Sequence, residues 1–268
     1  MKLVRSLLAA AFAVVLILYI YSDFRMRSLG VKEGPEMTVE SGVLEISVND
    51  DDEVLLQGVR ASDKLDGDLT DDVIVSGVSK LLYDNTAEVT YVVFDSHDNM
   101  ATGKRRIRYT DYKRPEITLL KPLEFETKDA TGLIGHFGAS DVIDGGLSDS
   151  VRVSALVPTA DSDRYFISVQ VMNSMGDSAR LKLPVLIAED KEAPVISLSS
   201  YLVYLDKGAA FDAASYISSV VFKGSALSVD NVKITGEIDV NTPGTYYIYY
   251  ECTAENHIGK TALTVSVR

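Results

Sequence analysis

The sequence predicts an all-β chain of three tandem small β-sandwiches behind one N-terminal helix. Three observations carry this. A motif recurs at an offset of 78 residues, apolar residues alternate with a period of two inside each copy, and a long unbroken apolar run lies at the N-terminus. The composition of the 268 residues, 46% hydrophobic and 24% charged, is that of an ordinary globular protein.

The N-terminal run, Leu7 to Tyr21, holds 15 apolar residues and follows Lys2 and Arg5. As a helix it covers about 22 Å at about 1.5 Å per residue, less than a hydrocarbon core of about 30 Å. Leu3, Val4 and Phe24 extend it if Arg5 and Asp23 reach the interfaces. The bulky sequence Tyr19-Ile20-Tyr21-Ser22 offers no small-residue cleavage site, and no cysteine follows for lipid attachment. The expectation is a retained signal-anchor, a transmembrane segment over residues 1–30 with membrane contact through residues 3–24, with a cleaved signal peptide as the alternative. This predicts a single-pass protein of the cytoplasmic membrane with its C-terminal domains extracellular.

The repeat is the strongest signal. Ala61-Ser62-Asp63 recurs as Ala139-Ser140-Asp141, and at the same offset Asp66-Gly67 matches Asp144-Gly145, Leu69 matches Leu147 and Asp71 matches Asp149. Asp95-Ser96-His97-Asp98-Asn99-Met100-Ala101 aligns with Asn173-Ser174-Met175-Gly176-Asp177-Ser178-Ala179, and Asn256 to Ala262 stands in the corresponding place of a third copy. Each copy opens on a proline: Pro35, Pro115 and Pro194. The expected domains are residues 31–112, 113–191 and 192–268.

Within each copy, Val89, Tyr91 and Val93, then Ile167, Val169 and Val171, then Tyr250, Cys252 and Ala254 mark one apolar strand face. A polar loop and a second alternating run follow (Arg106 to Tyr109, Leu181 to Ile187, Leu263 to Val267), which reads as a hairpin. Val54 to Val59, Val73 to Val78 and Leu202 to Leu205 are further predicted strands, and no helix is expected outside the anchor. About seven short strands per copy reads as a small sandwich. The junctions Thr110 to Arg114 and Glu189 to Ala193 are short and each is followed by proline, so an end-to-end stack on the order of 90 Å long is expected.

These residues carry a family resemblance. Ala61 to Thr70 reads ASDKLDGDLT, Asp95 to Ala101 reads DSHDNMA, and the third copy carries Pro243-Gly244-Thr245-Tyr246 with Tyr250. The chain resembles the bacterial surface-protein immunoglobulin-like domains, whose pattern is A-x-D-x-x-D-G-D-[IL]-T, P-G-T-Y-x-x-x-Y and D-x-x-G-N-x-A. The second copy lacks P-G-T-Y, and the third has lost the first element, with Ala214-Ser215-Tyr216 read in its place. The resemblance implies three immunoglobulin-like sandwiches serving as a spacer, stalk or adhesive unit. Fold alone does not settle function.

Composition removes several functions. A net charge of −13 disfavours nucleic acid, and the lone Cys252 excludes an intrachain disulfide or multi-cysteine metal site. His97, His136 and His257 stand far apart and outside any hydrolase or metalloprotease motif, so no catalytic residue and no enzyme activity are expected.

Two candidate sites remain. Asp63, Asp66, Asp68 and Asp71 crowd the first copy and are the candidate calcium ligands, since calcium takes six to eight oxygens. Turn and capping chemistry is the preferred reading of the same acids, and no other cofactor is expected. Tyr247 and Tyr249 are placed on the outer face of the third copy, opposite Tyr246, Ile248 and Tyr250, and are the candidate partner-binding pair. The sequence thus supports a membrane-anchored stalk or adhesive module. The alternatives are a module binding a surface protein or polysaccharide through its distal domain, and a calcium-stiffened adhesin.

Overall fold

A computed structural model describes residues 2–28, 33–129, 132–161 and 163–268; in the N-terminal helix the side chains of residues 11–26 are described. The boundary expected between residues 30 and 31 lies outside the described residues. The apolar run forms one helix, Lys2–Ser28. Its residues Phe12, Val14, Val15, Leu16, Ile17, Leu18 and Phe24 are exposed. Among the described residues no helix is long and apolar enough to cross a membrane, so the expected transmembrane span is not borne out. Asp23 and Arg25 follow the apolar run within the same helix and limit its apolar length.

The chain divides into two compact units, Met1–Tyr112 and Lys113–Arg268, and beyond the N-terminal helix both are built mainly of strands. The first unit contains one repeat and the second contains two, so the third repeat is not set apart from the second as a unit of its own.

In the first unit, Glu36–Val39 pairs with Val59–Asp63, which pairs with Gly67–Asp68. The second sheet runs Val43–Ile46, Met100–Tyr109, Thr86–Phe94, Ile74–Val78, its first pairing parallel and the others antiparallel. The opening stretch thus gives one strand to each sheet. The two later repeats do the same, with Glu116–Leu119 and Glu124–Phe125, then Val195–Leu198 and Leu202–Leu205. The period-two faces point inward: Val89, Tyr91 and Val93 are fully buried, as are Val169, Tyr250 and Cys252. Each such side chain contributes about 1.5–3 kcal/mol of hydrophobic stabilisation.

Local chemistry revises several elements. The run Val54 to Val59 is not the one strand its apolar residues predict: Asp52–Leu55 is a single helical turn with acids in its first turn, and only Val59 begins the strand. Short 3-10 turns also appear, such as Thr70–Asp72 and Ser148–Ser150. The position equivalent to Ala61 and Ala139 is Val220, not Ala214-Ser215-Tyr216. The amides of Leu69, Leu147 and Leu227 each donate to the carbonyl of Ala61, Ala139 and Val220 respectively. The third copy makes this corner with a tight Lys223-Gly224 turn, both residues at positive φ, which leaves no room for the acidic loop.

Candidate functional site

The four acids of the first repeat are distributed by their backbone. Asp63 folds its own loop, one carboxylate oxygen accepting from the amides of Leu65 (2.7 Å) and Asp66 (3.1 Å). Asp66 reaches the other loop, accepting from Ser96 N (2.7 Å) and Ser96 Oγ (2.8 Å). Asp68 accepts from Thr70 N at 3.0 Å, and its hydrogen bonds from Thr70 hold its carboxyl below the ordinary range. Asp71 lies exposed in the turn Thr70–Asp72. Asp63 and Asp68 bond amides of their own loop, and among the described residues the four acids do not form a converging ligand group.

A different group does converge. Ligand atoms of Asp66, Asp95 and His97 lie within 4.8 Å of one another. Asp95 is only 8% exposed. Its oxygens accept from the amides of His97 and Asn99 (both 2.8 Å) and from Asn99 Nδ2 (2.7 Å). Burial pushes this carboxyl upward, but the bonds from Asn99 and His97 outweigh it and hold it below the usual range. Asp95 and His97 were not among the candidate ligands. The signal for them was available in the repeat itself, where Asn173 and Met175 stand at the equivalent positions.

The tyrosine pair has another occupation. Tyr247 and Tyr249 do face away from the core of the third repeat, but they are half-buried against the second. The Tyr247 hydroxyl donates to the carbonyl of Lys182 at 2.9 Å, and its ring meets Phe166 at 5.1 Å between centroids. Arg164 lies over the Tyr249 ring at 3.7 Å. Burial pushes the Tyr247 phenol up to about 12, so the hydroxyl stays protonated and donating. The expected free binding face is therefore an internal contact. The end-to-end stack is corrected with it, because the second and third repeats pack through the outer faces of their larger sheets.

Other bonds fix this packing. Lys260 Nζ meets Asp163 at 2.7 Å, His257 Nδ1 meets Asp190 of the junction at 2.8 Å, and Thr261 donates to Glu124. Arg268 pairs with Glu116, and the Tyr204 hydroxyl donates to Ile117 O at 2.9 Å. Leu202 of the third repeat joins the apolar core of the second. A cleft of about 480 Å³ opens beside the junction, lined by Lys128, Asp163, Glu189 and Pro194 among others. The Cys252 thiol is fully buried, which pushes its pKa up and makes it a small core residue rather than a nucleophile.

No family model matches the chain. It is 25% identical over 176 residues to an uncharacterized 81.3 kDa protein of Acholeplasma phage L2, a match covering 61% of this chain. The chain spans 22% of that protein's length. Among solved structures it is similar to the lipoprotein BT2262 of Bacteroides thetaiotaomicron, at 25% identity over 28% of this chain and 37% of that one, with a TM-score of 0.24. It is also similar to the M60 catalytic domain with the CBM51-1 and CBM51-2 domains of Clostridium perfringens ZmpB, at 13% identity over 87% of this chain and 30% of that one, TM-score 0.25. The protocadherin GammaB4 extracellular domain aligns at 12% identity over 87% of this chain and 49% of that one, TM-score 0.20. Superpositions this loose carry no argument about ligand or activity.

Proposed function

We propose that this chain is a non-enzymatic spacer or interaction module, built from tandem immunoglobulin-like sandwiches, that works outside the cytoplasmic membrane. The reading rests on one observation: the second and third repeats share a broad, specifically bonded face. A chain whose task is mechanical gains from such a joint. Proline-bounded junctions restrain bending, and a bonded sheet-to-sheet contact removes it. The N-terminal helix supplies the attachment. Its residues from Phe12 to Tyr21 are all apolar and all exposed, and such a stretch of helix is stable only in an apolar environment. It holds the module at a membrane without needing to span it.

The joint is tested by unfolding the full-length chain in denaturant while probes report from the second and third repeats separately. Coincident transitions support the reading, and well-separated ones overturn it. The attachment is tested by fractionation: recovery of full-length protein in carbonate-washed membranes supports it, and a wholly soluble full-length chain overturns it.

A further inference from the structure

The first and second repeats build the same pair of loops. Asp63 and Asp141 each fold their loop through two backbone amides. Asp66 clamps Ser96 as Asp144 clamps Ser174, through both amide and hydroxyl at 2.6–2.8 Å. The amides of Asp95 and Asn173 each donate to the carbonyl four residues on, at 3.0 Å. Among the side chains that differ within this shared frame, two change their capacity to bind metal. The second repeat has Asn173 and Met175; the first has Asp95 and His97. Each exchange replaces a poor metal ligand by a good one.

The exchange leaves a mark. In the second repeat the Asn173 amide donates to Asp141 Oδ2 at 2.6 Å. In the first, Asp63 Oδ2 is buried and has no hydrogen-bond partner. A carboxylate, Asp95, stands where the second repeat has the amide that bonds this oxygen. An uncompensated buried carboxylate oxygen is costly, and a bound cation offsets that cost.

We propose that the first repeat binds a divalent first-row metal ion between its two loops, held by Asp66, Asp95 and His97, with Asp63 supplying the compensated oxygen behind them. The imidazole among the converging atoms selects manganese- or zinc-class ions over calcium, which takes oxygen. Such an ion ties residues 63–66 to 95–97 and stiffens one end of the sandwich. The second repeat is the internal control, satisfied by its own amide.

The experiment uses the full-length chain, stripped with chelator and titrated with Mn²⁺, Zn²⁺ and Ca²⁺ chlorides, reading the Mn²⁺ electron paramagnetic resonance signal and thermal unfolding. The expected result is one Mn²⁺ site of micromolar affinity and a higher unfolding midpoint with Mn²⁺ or Zn²⁺. Asp95→Asn should abolish the site and, in chelator, unfold at a higher temperature than the stripped wild type, because it restores the hydrogen bond of the second repeat. His97→Gln should weaken Mn²⁺ binding at least tenfold while folding normally. Absence of a bound Mn²⁺ signal, a site that survives Asp95→Asn, or a response to Ca²⁺ alone would each overturn the proposal.

Discussion

The hydroxyl of Tyr247 reaches the backbone carbonyl of Lys182 at 2.9 Å, so a side chain of the third repeat completes a strand of the second. Around this bond lie Phe166 and Arg164, the latter over the ring of Tyr249. A face of this kind cannot be edited without cost to both repeats.

Replacing Tyr247 and Tyr249 together by threonine should destabilise the second unit by about 2–4.5 kcal/mol. The sum comprises a hydrogen bond of about 1 kcal/mol, a cation–π contact of about 0.5–2 and an aromatic pair of about 0.5–1.5. Denaturant unfolding measures it; an unchanged midpoint would return the pair to a free surface role.

Gly259→Ala should be severely destabilising although the strand is otherwise regular. A Cβ there would overlap the carbonyl oxygen of Pro194, a backbone atom that cannot rotate away. A loss of about 2 kcal/mol or more is expected. Gly146→Ala, with no neighbouring atom within 4 Å, is the matched control and should stay within about 0.5 kcal/mol of the wild type.

Glu124 couples the joint to pH. Burial pushes its carboxyl up to about 7, against the hydrogen bond from Thr261 that lowers it. The folded state therefore holds a proton that the unfolded chain has released between its ordinary carboxylate pKa and about 7. This group's contribution to stability is greatest below the unfolded value, falls as pH rises through that window, and is level above it. The amplitude is on the order of 3 kcal/mol. Subtracting the stability curve of Glu124→Gln from that of the wild type should isolate a downward slope between about pH 4.5 and 7; a flat difference refutes it.

Tyr91→Phe and Tyr250→Phe should cost similar amounts, about 1–3 kcal/mol each. Both rings are fully buried, and their hydroxyls donate to carbonyls just before the central strand of the smaller sheet, Leu55 at 2.7 Å and Ala213 at 2.8 Å. These matching bonds align Tyr250 with Tyr91, two residues from the register that places Cys252 there. The two rings lie on the same face in either alignment, so strand periodicity could not separate them. Equilibrium unfolding of the two variants decides whether the bonds are equivalent.

By itself the sequence determined the repeat, the strand faces and the turn chemistry, because each is written in neighbouring residues. Alternation sends Val89, Tyr91 and Val93 inward whatever lies across the sheet, and Asp63 bonds to amides two and three residues away. It also holds a trace of the joint: where the first repeat has Glu88, Arg106 and Arg108 on its outer face, the second has Phe166, Pro184 and Leu186. That exchange says the face is covered, but not by what. Only the tertiary structure decided that Tyr247 and Tyr249 cover it, and that Asp66 meets Asp95 and His97 rather than its neighbours Asp68 and Asp71. Side-chain periodicity is local, whereas the pairing of two faces or two loops depends on shape and charge across many residues of intervening chain.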